Sequence, residues 1–235
     1  MAVYETSLNQ GDYVILQDDC DYSFSQDSVL LANIATLKPT DSVLDLGCGS
    51  GILSTLAIIK KNVSSALGIE VQPHMATLAR ESATLNKIDD IFRVVCDSVV
   101  NIKNIVKAES FDKVLCNPPY FANDGKRQII GKEISRTESS ATLEDFISAS
   151  AYALKFGGDL WTVIKSHRLA EAISCMCAHS LQPKEITLVY PKLSLGVDVA
   201  IIKARKGGKV GLILNTLIVS DEDGNYTDTF KELYN

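Results

Sequence analysis

From Ser42 onward the chain alternates short apolar runs with longer stretches in which apolar residues recur every three or four positions, a pattern of strands separated by helices. Val43–Leu46, Ala66–Glu70, Ile91–Cys96 and Val114–Cys116 read as strands. Helices from Ile52 to about Lys60 and from Pro73 to about Asn86 connect the first three. Beyond them, Leu143–Leu154 and Arg168–His179 read as helices, and Leu160–Ile164, Ile186–Tyr190 and Ala200–Ala204 as strands. Strands spaced this way imply an α/β fold: a parallel sheet with right-handed crossovers and helices on both faces. Upstream, residues 2–24 hold short alternating segments without a long period and predict a small β or irregular lead-in. Ser25 and Asp27 then cap a helix over Asp27–Ala35 that runs into Pro39.

The first four strands end at Leu46, Glu70, Cys96 and Cys116, and each end is followed by polar or turn residues. In an open parallel sheet, ligands bind beyond the carboxyl ends of the strands. Gly47-Cys48-Gly49-Ser50-Gly51 forms a turn with few Cβ atoms, so a cofactor can approach the backbone where the next helix begins. Its spacing is G-x-G-x-G. The dinucleotide fingerprint would need a glycine at Ile52, which argues against a nicotinamide oxidoreductase. Glu70 stands where a carboxylate accepts from both hydroxyls of a ribose or is simply solvated at a strand end, and Asp97 where one accepts from an adenine amino group or caps the helical stretch starting at Ser98. Asp45 either meets the amino-acid portion of a cofactor or braces the glycine turn. These acids suit an adenosine with a positively charged tail and no phosphate.

Asn117-Pro118-Pro119-Tyr120 follows the fourth strand. Each proline fixes its own φ and pushes the residue before it into extended geometry, so the turn is stiff before any ligand arrives. The Asn117 amide oxygen and the Pro118 carbonyl can both accept from one exocyclic amino group, with the Tyr120 ring as a stacking face. An ordinary strand-end turn, with Tyr120 as an anchor, is the plainer reading of the same residues.

With 235 residues, 46% of them hydrophobic, and no Pro/Gly/Ser-rich linker, the chain suits one large domain. No signal segment opens it and no apolar run nears bilayer-spanning length, so a cytoplasmic protein is expected. The six cysteines are scattered, as reduced thiols in a cytosol would be, and with the three dispersed histidines they outline no metal site. A net charge of −6 argues against indiscriminate coating of nucleic acid. Two clusters are locally basic: Lys126, Arg127, Lys132 and Arg136, and Lys203, Arg205, Lys206 and Lys209. Each reads as a solvated surface or as a local RNA contact.

Taken together, Asp45-Leu46-Gly47-Cys48-Gly49-Ser50-Gly51, Glu70, Asp97 and Asn117-Pro118-Pro119-Tyr120 resemble, in order, the motifs of S-adenosylmethionine-dependent methyltransferases that modify exocyclic or amide nitrogens. Within that superfamily the chain is most similar to bacterial tRNA adenine-N6 methyltransferases that act on valine tRNA. The likeness extends through Tyr22-Ser23-Phe24-Ser25-Gln26-Asp27-Ser28, Arg136 and Glu138, Thr142-Leu143-Glu144-Asp145, Leu154-Lys155-Phe156-Gly157-Gly158 and Lys203-Ala204-Arg205-Lys206. Ser23 stands where relatives often carry arginine, and Phe156 where proline is usual.

The resemblance implies a Rossmann-like class I methyltransferase with a mostly parallel, seven-stranded sheet. Residues 1–40 would be an extension packed on a catalytic domain of 41–235. It implies S-adenosyl-L-methionine held by Ser25, Asp27, Asp45, Gly47, Cys48, Gly49, Gly51, Glu70, Val71, Asp97, Ser98 and Asn117. Asn117, Pro118, Pro119 and Tyr120 would be catalytic, and Lys126, Arg127, Arg136, Lys203, Arg205 and Lys206 would contact a tRNA substrate. No metal, membrane or obligate protein partner is expected. The cysteines have no nucleophilic role in such a transfer.

The main rival is a protein glutamine-N5 methyltransferase, because a side-chain amide presents the same two protons. Those enzymes carry a helical domain ahead of the glycine motif, for which the 44 residues before Asp45 leave no room. Ribosomal RNA guanine-N2 and DNA adenine methyltransferases are further alternatives, as is a non-catalytic nucleotide- or RNA-binding domain that keeps the fold without turnover.

Overall fold

A computed structural model of the chain describes residues 3–8, 13–18, 25–119 and 141–233. In chain order the strands and helices are β1 (Val3–Ser7), β2 (Val14–Asp18), α1 (Gln26–Ile34), β3 (Ser42–Leu46), α2 (Ile52–Lys61), β4 (Ser65–Glu70), α3 (Pro73–Leu85), β5 (Phe92–Cys96), α4 (Ile102–Ile105), β6 (Phe111–Cys116), α5 (Leu143–Ala153), β7 (Leu154–Lys165), α6 (Leu169–Ala178), β8 (Leu181–Tyr190), β9 (Val199–Lys206), β10 (Ile213–Ile218) and α7 (Asp228–Glu232).

Eight strands form one sheet in the order β10-β8-β9-β7-β6-β3-β4-β5, in which only β9 runs against the rest. The expected count of seven is therefore one too low. The added strand is β10, which lies parallel to β8 at the edge of the sheet.

Period-two alternation divides the core between the two faces of this sheet. Val43, Leu115, Trp161, Val163 and Ile201 pack on the α1 and α2 side. Leu44, Leu46, Val114, Leu160 and Ile202 pack on the α5 and α6 side. Asp45 shares the face of Val43, so the alternation that builds the core also carries a carboxyl into it, 0% exposed.

Helix boundaries follow local chemistry. The Ser25 side chain accepts from the Ser28 amide at the start of α1, Pro73 occupies the first turn of α3, and Thr142 and Asp145 form a reciprocal capping box on α5. β7 begins six residues earlier than the expected Leu160 and passes through Gly157-Gly158. A Cβ at Gly158 would stand 2.9 Å from the Asp112 carbonyl oxygen, so here glycine admits a close strand approach instead of ending the strand.

The β1–β2 hairpin forms its own antiparallel pair and docks on α3. The Val14 amide donates to Asn86 Oδ1 (2.9 Å), the Leu16 amide donates to Ser82 Oγ (3.0 Å), and Asp18 pairs with His74. Among the described residues no helix is long and apolar enough to cross a membrane, and no cluster of His, Cys, Asp and Glu could hold a metal ion.

Candidate active site

The glycine turn leaves β3 with Gly47, Gly49 and Gly51 at φ +71°, +55° and +89°, values that L side chains rarely adopt. Gly51 is fixed a second time by packing, since a Cβ there would meet the Phe92 ring at 2.7 Å. Gly49 is the open member of the three: its missing Cβ has only the Met75 Cε within reach, at 3.8 Å.

Four of the five amides of this turn are already engaged. Gly47 and Cys48 donate to the Ile69 carbonyl, Gly51 donates to the Cys48 carbonyl, and Gly49 donates to Glu70 Oε2 at 2.9 Å. Glu70 Oε1 accepts from the Gln72 amide, also at 2.9 Å, so a buried carboxylate at the end of β4 grips the turn. A turn with four of its five amides engaged and a carboxylate beside it disfavours phosphate. It suits a ligand that brings hydroxyl donors to the remaining lone pairs of Glu70.

Asp45 lies beneath the turn. Its Oδ2 accepts from the Ser54 amide (3.1 Å) and hydroxyl (2.8 Å), which braces the start of α2, while the buried Oδ1 has no hydrogen-bond partner. Burial pushes the Asp45 carboxyl up to about 7; the Ser54 bonds oppose this and the nearby Glu70 charge adds to it.

At the end of β5, Asp97 Oδ1 accepts from the Ser98 amide and from Asn101 Nδ2. Ser98 itself caps the short 3-10 turn over 99–101. Val71 follows Glu70 and is half-buried on the same rim. Cys48 and Cys116 are buried and their thiols are pushed well above the ordinary range, chiefly by that burial, which removes them as nucleophiles.

Asn117 completes the arrangement at the end of β6. Its Nδ2 donates to Ser25 Oγ (3.1 Å) and to Ser28 Oγ (2.8 Å) at the first turn of α1. Both amide protons are thus held, and Asn117 Oδ1 is left buried without a partner. A buried acceptor without a donor costs about 1–3 kcal/mol, so an oxygen held this way is an acceptor prepared for a ligand. Pro118 is buried and Pro119 exposed beside it. Asp27, also on the first turn of α1, lies 3.6 Å from Lys165 at the carboxyl end of β7.

The structure brings Ser25, Asp27, Asp45, Gly47, Cys48, Gly49, Gly51, Glu70, Val71, Asp97, Ser98, Asn117, Pro118 and Pro119 to the rim at the carboxyl ends of the strands. Tyr120, Lys126, Arg127 and Arg136 lie outside the described residues. Arg205 and Lys206 sit toward the opposite end. Arg205 pairs with Asp159 at 2.7 Å, six residues before the end of β7, or roughly 20 Å by strand rise. Lys206 donates to the Leu154 carbonyl and pairs with Glu109. Lys203, at mid-strand, pairs with Glu185 at 2.6 Å and lies over the Trp161 ring.

Sequence reasoning missed Ser28, Ser54 and Gln72 as supports. Of these, Ser28 carried a readable signal: it stands three residues after the capping Ser25 and so shares its helix face.

Comparison with known proteins accords with this geometry. The methyltransferase small domain family model matches residues 20–182. A tRNA1(Val) (adenine(37)-N6)-methyltransferase of Shewanella sp. (strain MR-4) is 24% identical over 216 residues, covering 92% of this chain and 91% of its own length. The protein of the same name from Christiangramia forsetii is 23% identical, covering 94% and 92%. Among solved structures, a predicted O-methyltransferase from Agrobacterium tumefaciens superposes with a TM-score of 0.68 at 22% identity, covering 89% of this chain and 95% of its own. The geranyl diphosphate C-methyltransferase of Streptomyces coelicolor, solved with S-adenosyl-L-homocysteine, gives 0.58 at 15% identity, covering 77% and 76%. Built on this sheet and around this glycine turn, the chain belongs to the methyltransferase small domain family.

Proposed function

We propose that the protein transfers a methyl group from S-adenosyl-L-methionine to the exocyclic N6 amino group of an adenine in tRNA, in the cytoplasm. The observation that carries this reading is Asn117 Oδ1, a buried acceptor without a partner whose amide is locked by Ser25 and Ser28. The names of the full-length relatives point to the adenine of a valine tRNA.

Glu70 takes the ribose hydroxyls and Gly49 admits the cofactor close to the backbone. Asp97 Oδ2 and the Ser98 region take the adenine end. S-adenosyl-L-methionine supplies an electrophilic methyl group on a sulfonium when bound. Asn117 Oδ1 and the Pro118 carbonyl accept the two N–H bonds of the substrate amino group, which draws the nitrogen lone pair out of conjugation with the purine ring. They also aim that lone pair. Orientation of this kind can lower a barrier by about 7–11 kcal/mol in favourable cases. The surplus proton of the methylated nitrogen leaves along one of those two bonds toward solvent. The base itself must be splayed out of the RNA to reach the rim.

The test is transfer of tritiated methyl from S-adenosyl-L-methionine to total tRNA from a strain lacking the gene, followed by nucleoside analysis. N6-methyladenosine in valine tRNA is the expected product. Label in a release-factor protein instead would replace the substrate with a glutamine amide, and no label in either would remove the catalytic reading.

A further inference from the structure

The two edges of the sheet are built differently. At the β5 edge the Arg80 guanidinium donates twice to the Val94 carbonyl, at 3.2 and 3.0 Å, and Arg93 is exposed on the strand. A guanidinium on an edge carbonyl and a charged strand residue are devices that block edge-to-edge pairing. The β10 edge carries neither. From Val210 to Ser220 there is no charge and no proline. Val210, Ile213 and Leu214 are 90%, 60% and 64% exposed. Leu217, the buried residue of β10, shares a core cluster with Phe230 of α7, whereas Ile213–Thr216 are exposed.

The flanks of β10 differ in sign. Lys209 precedes the strand, with Lys184 Nζ bound to its carbonyl oxygen, and Asp221, Glu222 and Asp223 follow it, countered by Lys192 alone on the Glu222 carbonyl.

From these features we infer that β10 is a homodimer edge and that two copies pair their β10 strands antiparallel about a two-fold axis. Antiparallel pairing sets the Lys209 end of each copy beside the Asp221–Asp223 end of the other; parallel pairing would set like charges together. With the axis passing at Thr216, Leu214 lies opposite Ile218 on one face and Lys209 opposite Asp223. The pairing satisfies the outward main-chain groups of β10, covers the apolar side chains and joins two eight-stranded sheets into one. It also turns the two carboxyl-end rims in opposite directions, so neither obstructs the other. An interface of one short strand belongs to the small, weak class, and association in the micromolar range is expected.

Sedimentation equilibrium of the full chain across a concentration series tests this. Wild type is expected to move from monomer to dimer. Leu214→Lys and, outside the strand, Val210→Lys are each expected to weaken association at least tenfold with unchanged far-ultraviolet circular dichroism; should one fail to fold, the other stands. Lys209→Glu is expected to weaken it, and Lys209→Glu combined with Asp223→Lys to restore it. A wild type that stays monomeric at the highest concentration overturns the proposal, as does a dimer indifferent to both lysine substitutions. Failure of the paired reversal to restore association overturns the antiparallel arrangement.

Discussion

The two ends of the parallel strands handle their polar groups in opposite ways. Toward the amino end two acids are matched to cations: Asp159 holds Lys113 and Arg205, and Asp112 holds Lys155 and accepts from the Ser42 amide and hydroxyl. At the carboxyl end, acceptors are held still and left incomplete, with Asn117 Oδ1 and Asp45 Oδ1 both buried and unpartnered. Matched charges at one end fix the register of β6, β7 and β9. Unmatched acceptors at the other end hold binding capacity for a ligand, at some cost in stability.

Removing one group from each end separates these roles. Asn117→Ala should lower methyl transfer by about 10²–10³-fold, the loss typical of one preorganised polar group at a reacting centre, while cofactor affinity stays within a few-fold. Single-turnover rates and calorimetric titration check both halves, and full activity would remove the assigned role. Asp159→Ala should do the reverse. It leaves Lys113 half-buried beside no acid and should lower unfolding free energy by about 3 kcal/mol in a denaturant titration, with the single-turnover rate nearly intact. Arg205→Ala should cost less, because that side chain is 43% exposed.

Glu70→Ala tests the carboxyl end from the cofactor side. It removes the acceptor of the Gly49 and Gln72 amides as well as the ribose site, so cofactor affinity should fall by roughly 10–100-fold, or about 1.4–2.7 kcal/mol. Unchanged affinity would return Glu70 to a purely structural role.

The two ends should also titrate apart. Burial raises the Asp112 carboxyl, but the bonds from Lys155 and Ser42 outweigh it and hold it at about 2; Asp159 is likewise depressed because Arg205 and Lys113 outweigh its burial. Below the ordinary value of 3.8 the unfolded chain binds these protons before the native one does, so stability falls as pH drops toward about 2. Asp45 has the opposite sign. Between 3.8 and about 7 the native state keeps a proton that the unfolded state has released, so stability declines as pH rises through that window. One proton sets a slope of at most about 1.4 kcal/mol per pH unit. Asp45→Asn should flatten that decline and leave the acid limb in place, as followed by chemical denaturation at half-unit intervals.

The carboxyl end was the more legible of the two in the sequence. Its glycines and prolines constrain the backbone by their own chemistry, and Glu70 and Asp97 follow directly from where an apolar run stops. The amino end was not legible. Lys203, Arg205 and Lys206 form a basic cluster in one dimension, but their partners Glu185, Asp159, Glu109 and the Leu154 carbonyl arrive from strands and turns as far as 97 residues away, and only the pairing of β6, β7, β9 and β8 brings them together. β10 escaped notice because its exposed apolar residues show no alternation against a buried face, and Gly157-Gly158 looked like a break because close strand approach leaves no trace in a pattern of hydrophobicity.

Charge reversal at Lys203, Arg205 and Lys206 bears on the same lesson: if these cations serve the sheet, unfolding free energy should fall, whereas a role in tRNA contact would show as weaker binding with a shallower salt dependence.

The smallest effect concerns how Asn117 is held. Ser28→Ala removes the shorter of its two amide bonds, 2.8 Å against 3.1 Å to Ser25, and leaves the side chain free to rotate about the remaining contact. A loss of roughly tenfold in the rate of methyl transfer, or about 1.4 kcal/mol, is expected with cofactor affinity unchanged. A role confined to helix stability would move the unfolding midpoint and leave the single-turnover rate alone. Ser28→Thr keeps a hydroxyl at the same position and should recover most of the rate; if it did not, the hydroxyl would not be what positions Asn117.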